Sequence, residues 1–286
     1  MNQQNNIDIT KVAESICLTK GFQLVRLLGD GSYKNVYLIE TADHEQFALN
    51  IIRNPGSSPR TQREIESLQK CQHPVIARLL DIGLITYCGS QYEYLVEEYL
   101  SGGTLSERLK SKGGLNDFAA LELGRQLIDA IVYLHQQGLV HRDIKPDNII
   151  YRDTGETPVL VDFGIVRDLS ASSLTESWAQ SGPGTPYFAS PEQLNNQKHL
   201  IDWRADQFSL GVTLVVARFG FHPYQYPGEP IYAFETVERV AMRGQRHKMF
   251  FNAIKAFCPK SLEYMTAPWP VQRVCHDEEL VRVWGT

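Results

Sequence analysis

Carboxylate, ammonium and amide side chains lie close together in one segment of the chain. The run His141-Arg142-Asp143-Ile144-Lys145-Pro146-Asp147-Asn148 contains all three types, and Asp162-Phe163-Gly164 adds a further carboxylate. Phosphoryl transfer needs mainly positioning and neutralisation of charge from the protein, and these residue types supply both. We therefore expect Asp143 to accept the proton of an attacking hydroxyl and Lys145 to steady the transferring phosphate. Asn148 and Asp162 are expected to hold Mg²⁺.

A glycine-rich segment, Gly29-Asp30-Gly31-Ser32-Tyr33-Lys34-Asn35-Val36, lies between two strand-like runs. Glycine lets backbone N–H groups approach a phosphate closely, so the segment suits a phosphate-binding loop. A hairpin turn without a ligand has the same composition. Taken alone, the segment leaves both interpretations open.

The N-terminal part of the chain has the pattern of a small antiparallel sheet. Short apolar runs broken by turn residues extend from Phe22 to Ile52, and further strand-like runs cover residues 77–84 and 92–99. Residues 60–71 carry apolar side chains at helical spacing, which predicts one helix between these strands.

The C-terminal part is predicted to be mostly helical. Apolar residues share one helical face from Asp117 to Gly138, with Asn116 or Asp117 as the N-cap and Gly138 as the stop. A second apolar helix is predicted near residues 206–219. A stretch from 168 to 191 is rich in Ser, Gly, Thr and Pro and is predicted to be a loop. The sequence therefore predicts an α+β fold.

Composition restricts the partners and the compartment. The 286 residues are 43% apolar and carry a net charge of -5, which is typical of a globular protein and gives no broad attraction for nucleic acid or an anionic membrane. The apolar run at 208–217 is too short for a membrane span. Five cysteines without a C-x-x-C pair predict reduced thiols, and the polar N-terminus lacks a secretory pattern. We expect a cytoplasmic protein with neither a nucleic-acid nor a membrane partner.

The order of these motifs resembles that of the eukaryotic-type (Hanks-type) Ser/Thr protein kinase family. The glycine-rich loop, the His-Arg-Asp run and Asp-Phe-Gly are followed by Ser190-Pro191-Glu192, as in the family. The resemblance covers about residues 22–273. It implies a two-lobed protein kinase fold, with an antiparallel N-lobe at 22–100 and a mostly helical C-lobe at 101–286, after an N-terminal extension at 1–21. It also implies ATP and Mg²⁺ between the lobes and a protein substrate.

The resemblance assigns further residues to the site. The positions implied for nucleotide binding are Gly29, Gly31, Lys34, Val36, Ala48, Glu98, Leu100 and Ile150. Glu64 lies where the family keeps the helix glutamate that pairs with the ATP-binding lysine.

Three further positions are implied to act in regulation or substrate choice. Arg142 resembles the arginine that pairs with a phosphate on the activation loop, and Ser181 lies where that phosphate usually sits. Thr185, together with Lys145, is typical of the Ser/Thr kinases rather than the tyrosine kinases, so serine or threonine acceptors are expected.

One position breaks the family pattern. The run Phe47-Ala48-Leu49-Asn50 has asparagine where the family has its ATP-binding lysine, while Lys34 occupies the third glycine position of the loop. This arrangement is similar to that of the with-no-lysine kinases, an active branch that takes its ATP-binding lysine from this loop position. The resemblance implies that Lys34 replaces the missing lysine and pairs with Glu64.

Strand geometry supports this replacement. Side chains alternate along a strand, so Lys34 and Val36 share a face, as do Ala48 and Asn50. A hairpin turn near Ala42 predicts that Val36 pairs with Ala48 and that Lys34 pairs with Asn50. Opposed Cβ atoms lie roughly 5 Å apart, within the length of a lysine side chain.

Acidic residues at other family positions have predicted structural roles. Glu97 occupies the gatekeeper position, where burial costs several kcal/mol unless the carboxylate is paired, so we expect a hydrogen-bonded or partly wet site. Glu192 is predicted to form a buried ion pair with Arg273. Asp206 is predicted to anchor the backbone of the catalytic loop.

The leading hypothesis is an active Ser/Thr protein kinase in which Lys34 replaces the missing lysine. The alternative is a pseudokinase that binds a nucleotide or a partner without turnover, since Asn50 removes the usual charge and the acidic groups then serve as a structural cluster. A phosphotransferase acting on small molecules is disfavoured by the Gly-Thr-Pro-Tyr to Ser-Pro-Glu segment. The physiological substrate and the oligomeric state are not indicated by the sequence.

Overall fold

The structure is a computed structural model that describes residues 8–31, 34–52, 69–153, 155, 157–162, 186–257 and 260–284. Of the predicted site residues, Glu64, Ser181 and Thr185 lie outside the described residues, as do most of the predicted helix at 60–71 and most of the predicted loop at 168–191. The chain divides into two compact units. The first comprises Met1–Gln72 and Ala77–Tyr99, and the second comprises His73–Ile76 and Leu100–Thr286.

The first unit contains a five-stranded antiparallel sheet, as the sequence predicts. Its strands are β1 (Gln23–Asp30), β2 (Lys34–Glu40), β3 (Gln46–Ile52), β4 (Leu79–Tyr87) and β5 (Ser90–Glu98). The strand order is β1-β2-β3-β5-β4, so β3 and β5 lie next to each other inside the sheet. This order places residues of the glycine-rich hairpin, β1 and β2, beside the strand that carries Asn50.

The β2–β3 pairing differs from the predicted register by two residues. Val36 pairs with Asn50 and Leu38 with Ala48, whereas the predicted pairs of Val36 with Ala48 and of Lys34 with Asn50 are wrong. The hairpin turns one residue later than predicted, because residues 41–45 form a closed loop in which the Thr41 N–H donates to the Glu45 carbonyl at 2.9 Å. A shift of two preserves the side-chain alternation, so the residues predicted to share a face still share it.

A helix not predicted from the sequence covers one face of this sheet. Helix α1 (Ile9–Lys20) begins after the N-cap Asp8, whose side chain accepts from the Thr10 N–H, and ends at Gly21 in the left-handed conformation. It packs through four buried residues, Val12, Ala13, Ile16 and Cys17.

The opposing residues come from the sheet and alternate along its strands. They are Tyr37, Ile39, Phe47, Leu49, Ile51, Tyr92, Tyr94 and Val96. Because this face is filled with apolar side chains, Lys34, Asn50 and Glu97 belong to the opposite face of the sheet.

The second unit is mostly helical. Its described helices are α2 (Leu105–Lys112), α3 (Asp117–Gln136), α4 (Pro191–Leu194), α5 (Trp203–Phe219), α6 (Phe234–Ala241), α7 (Lys248–Phe257), α8 (Ser261–Met265) and α9 (Asp277–Trp284). A short hairpin of β6 (Ile149–Tyr151) and β7 (Pro158–Leu160) is its only sheet among the described residues. The predicted α+β architecture is confirmed.

Two long helices form the core of the second unit. Helix α3 has Asn116 as its N-cap, one of the two candidates, and the predicted stop Gly138 adopts a left-handed conformation just after the helix. It packs on α5, which is buried along almost its whole length. Gly124 of α3 allows close approach of Trp284, since a Cβ at this position would lie 1.9 Å from the indole ring. None of the helices in the described ranges is long and apolar enough to cross a membrane.

Candidate active site

The residues predicted to perform chemistry in the second unit meet at one end of the β6–β7 hairpin. Pro146–Asn148 form a turn of 3₁₀ helix that leads directly into β6. The Val161 N–H donates to the Asn148 carbonyl at 3.0 Å, which extends the hairpin by one rung and brings Asp162 next to Asn148 along the backbone. Asp162 itself has a left-handed φ of 62°.

Asp143 lies at the centre of this group. The Lys145 Nζ donates to Asp143 Oδ2 at 2.9 Å, and the Asn148 Nδ2 donates to the same oxygen at 2.9 Å and to the Asp143 carbonyl at 2.8 Å. The side chains of Asp143 and Lys145 are partly exposed. The structure thus brings together Asp143, Lys145 and Asn148, as the sequence predicts, and fixes the orientation of the Asp143 carboxylate.

The oxygen atoms of Asn148 and Asp162 suit a hard divalent cation. The Asn148 amide nitrogen is used by Asp143, so its oxygen is the atom available for a metal. Mg²⁺ is commonly held by one or two carboxylates together with substrate phosphates, and this donor set fits it. Within the described part of the chain, no three His, Cys, Asp or Glu residues cluster as they do around a metal held by protein ligands alone.

The backbone of this loop is anchored by a buried carboxylate. Asp206 of α5 is only 1% exposed, and its two oxygens accept from the His141 N–H at 2.7 Å and the Arg142 N–H at 2.8 Å. Burial raises the pKa of Asp206, although the two backbone donors oppose this change. The predicted anchoring role of Asp206 is confirmed.

His141 and Arg142 fix the backbone of this loop through hydrogen bonds. The buried His141 ring accepts from the Asp143 N–H at Nδ1, which leaves Nε2 to donate to the Val161 carbonyl at 3.1 Å. Arg142 has a left-handed φ of 68°, and its carbonyl accepts from the Gln193 side chain at 2.8 Å. His141 therefore links Asp143 to the strand end that precedes Asp162.

Glu192 and Arg273 form the predicted ion pair. Both side chains are fully buried, and the Arg273 Nη2 donates to Glu192 Oε2 at 3.0 Å. Arg273 also donates to the carbonyls of Ala267 and Arg204. The pair joins the start of α4 to the segment before α9, so its role is structural.

In the first unit, Lys34 contacts Asn50, the residue that stands where the family pattern has lysine. The Lys34 Nζ donates to the Asn50 Oδ1 at 3.0 Å, although the two residues are diagonal rather than directly paired. Diagonal neighbours lie about 7–8 Å apart, a distance that a lysine side chain spans. The predicted contact is present, with a different strand register.

Asn50 also contacts Glu97, and the sequence analysis did not predict this contact. The Asn50 Nδ2 donates to Glu97 Oε2 at 2.8 Å, and both side chains are buried. Of the two predicted environments of Glu97, hydrogen-bonded or partly wet, the structure shows the hydrogen-bonded one, but the partner Asn50 was not predicted. The available signal was one polar residue in each of two otherwise apolar strand segments, Phe47–Ile52 and Tyr94–Glu97.

The glycine-rich hairpin is closed tightly by backbone pairing. Gly29 pairs with Val36, and the Gly31 N–H donates to the Lys34 carbonyl at 2.9 Å. The Asn35 side chain donates to Asp30 Oδ1 at 3.1 Å. These bonds place Lys34 at the first residue of β2, with its carbonyl bonded to Gly31.

The other predicted nucleotide-binding residues are distributed over both units. Val36 and Ala48 are partly exposed on the face of the sheet that carries Lys34. The Glu98 N–H donates to the Arg78 carbonyl at 2.9 Å. The backbone group of Glu98 that could contact a ligand is therefore its carbonyl. In the second unit, Leu100 is buried and Ile150 pairs with Val159 in the β6–β7 hairpin.

Comparison with known proteins places these features in a family. The family described as "Protein kinase domain" matches residues 22–282. Serine/threonine-protein kinase PrkC of Bacillus subtilis (strain 168) is 34% identical over 210 residues, which is 71% of this chain and 31% of that protein. Calcium/calmodulin-dependent protein kinase type 1 of Macrobrachium nipponense is 31% identical over 204 residues, which is 69% of this chain and 56% of that protein.

A solved structure has the same fold. The structure of Rad53 1-466 in complex with AMP-PNP superposes with a TM-score of 0.71 at 24% identity, covering 94% of this chain and 66% of that chain. The five-stranded sheet, the helical unit and the Asp143 loop thus define a protein kinase fold. The chain belongs to the protein kinase family, and its curated relatives include Ser/Thr kinases, as the sequence motifs indicate. It spans about a third of PrkC and about half of the calmodulin-dependent kinase.

Proposed function

We propose that this chain transfers the γ-phosphate of ATP to serine or threonine hydroxyls of proteins, with Lys34 replacing the lysine absent at Asn50. The observation that carries the proposal is the Lys34 Nζ at 3.0 Å from Asn50 Oδ1. An ammonium group is thereby held beside the place where the family carries its lysine. It supplies the charge that grips ATP phosphates, which asparagine alone cannot.

The Asp143 loop supports the transfer step. Asp143 accepts the proton of the acceptor hydroxyl, and its carboxylate is held in one orientation by Lys145 and Asn148. Lys145 supplies positive charge near the transferring phosphate. Mg²⁺, held by Asn148 and Asp162, neutralises charge on the phosphate oxygens of ATP when it is bound. Thr185 and Lys145 support serine and threonine as acceptors, in agreement with the names of the relatives.

A pseudokinase is the second candidate, and one observation favours it. Asn50 is buried at the position where the family has a lysine, and its amide bonds to Lys34 on one side and to Glu97 on the other. In such a protein the same contacts hold a nucleotide without turnover. The complete set of Asp143, Lys145, Asn148 and Asp162 argues against this candidate, because a binding module does not need a proton acceptor.

The test is the transfer of ³²P from Mg-ATP to the protein itself and to a generic basic protein. Wild type is expected to incorporate phosphate, and Asp143→Asn to lose about a thousandfold in rate because the proton acceptor is removed. Asp147→Asn is the matched control, since Asp147 lies in the same loop but is exposed to solvent. No incorporation by wild type, with ATP binding retained, selects the pseudokinase.

A further inference from the structure

The buried residues Asn50 and Glu97 form a chain of hydrogen bonds with Lys34. Asn50 is 4% exposed and Glu97 is 6% exposed, and they lie on adjacent strands, β3 and β5. Lys34 Nζ donates to Asn50 Oδ1 at 3.0 Å, and Asn50 Nδ2 donates to Glu97 Oε2 at 2.8 Å. The amide of Asn50 therefore joins an ammonium on one side to a carboxylate on the other.

Only one orientation of the Asn50 amide satisfies both neighbours. An ammonium has donors and no acceptor, and an ionised carboxylate has acceptors and no donor. Turning the amide by 180° would place its oxygen against the carboxylate and its NH₂ against the ammonium, which loses both bonds. The chemistry of the two flanking groups thus fixes which amide atom faces Lys34.

We infer that Glu97 is a positioning residue for Lys34, acting through the side-chain amide of Asn50. The Glu97 carboxylate holds the Asn50 NH₂, which leaves the amide oxygen aimed at Lys34. The aligned dipoles of such a chain strengthen each bond in a buried setting. Asn50 thus has a role of its own, since its amide oxygen accepts a hydrogen bond from the Lys34 ammonium. The Glu97 carboxylate determines the orientation of that amide.

The inference rests on the proposed role of Lys34 in nucleotide binding, and it predicts a specific pattern of coupling. Without Glu97, the Asn50 NH₂ loses its acceptor, and only Lys34 itself then holds the amide oxygen in place. Glu97→Leu is expected to weaken Mg-ATP binding about tenfold, the effect of one charged hydrogen bond. The same change in a Lys34→Met or an Asn50→Leu background is expected to have no further effect.

Calorimetric titration of each variant with Mg-ATP measures this coupling. Glu45→Leu is the control, because Glu45 lies in the exposed β2–β3 loop. Glu97→Gln is expected to be intermediate, since glutamine satisfies either orientation of Asn50. If Glu97→Leu does not fold, the binding of Mg-ATP to Glu97→Gln is measured in its place. An equal loss of binding in the Lys34→Met background would show that Glu97 acts on the nucleotide directly and would overturn the inference, as would unchanged binding.

A second readout needs no nucleotide. The NMR signal of the Asn50 side-chain NH₂ is identified by its disappearance in Asn50→Leu, and its hydrogen exchange is then measured. Glu97→Leu is expected to accelerate this exchange about tenfold, while Lys34→Met leaves it slow because Glu97 still accepts the bond. Unchanged exchange in Glu97→Leu overturns the inference. A wild type that transfers no phosphate overturns the proposed function alone.

Discussion

The ammonium of Lys34 lies 3.0 Å from the amide oxygen of Asn50, although Val36 and not Lys34 is the ladder partner of Asn50. A lysine at the first residue of β2 therefore reaches diagonally across the hairpin to a position on the adjacent strand. The contact depends on the length and flexibility of the lysine side chain rather than on direct strand pairing. Substitution of Lys34 is therefore the most direct test of the contact.

Lys34→Met is expected to reduce phosphate transfer at least about a hundredfold, since it removes the ammonium but keeps a similar apolar stem. The rate of ³²P transfer at saturating protein substrate measures the loss. Lys11→Met is the matched control, because Lys11 is an exposed lysine on α1 that pairs with Glu14. Transfer by Lys34→Met at near wild-type rates would refute the replacement of the family lysine by Lys34.

The buried pair of Glu192 and Arg273 predicts a clear order of stabilities. Glu192→Met leaves the Arg273 guanidinium buried without its carboxylate and is expected to cost about 3–5 kcal/mol in the free energy of unfolding. Replacing both residues by methionine is expected to cost less than Glu192→Met alone, because no uncompensated charge remains. Urea denaturation of the three proteins measures this order. A double variant less stable than the single one would show that the charges themselves stabilise the fold.

His222 predicts a loss of stability in weak acid. Burial lowers the pKa of His222 to about 3 in the folded protein, while the unfolded chain keeps a value near 6.5. Between these values the unfolded state binds the extra proton, so stability is present above about pH 6.5 and falls as the pH is lowered. The expected loss from pH 7 to pH 5 is about 2 kcal/mol.

Substitution of His222 isolates this contribution. In the wild type, the Tyr224 N–H donates to the His222 Nδ1 at 3.1 Å. His222→Gln provides an amide oxygen that can accept this hydrogen bond. The variant is expected to be less stable at pH 7 and to have a shallower dependence of stability on pH. Denaturation midpoints at pH 7, 6 and 5 measure the slope. Equal slopes in both proteins would assign the acid sensitivity to other groups.

The contacts around Asp143 could be predicted from the sequence because the motif that forms them is local. Asp143, Lys145 and Asn148 lie within one short run, so their spacing nearly determines their contacts. The register of β2 and β3 was predicted wrongly, because it depends on a five-residue loop at 41–45 whose closure does not follow from strand patterns. The bond from Asn50 to Glu97 was missed because it joins strands far apart in the sequence.

Helix α1 was missed for a different reason. Its apolar residues, Val12, Ala13, Ile16 and Cys17, occupy one helical stripe between Asp8 and Gly21, which are suitable caps. The pattern of a capped amphipathic helix is therefore present in the sequence, but it lies before Phe22, where the family motifs begin.

The family match begins at residue 22, whereas the folded unit also includes α1, which packs on the sheet. A chain shortened to begin at Phe22 retains every motif of the site but uncovers the sheet face that carries Tyr37, Ile39 and Leu49. An apolar sheet surface of this kind favours association between molecules. Helix α1 thus covers this sheet face, and a domain that begins at Phe22 is expected to self-associate more readily than one that includes α1.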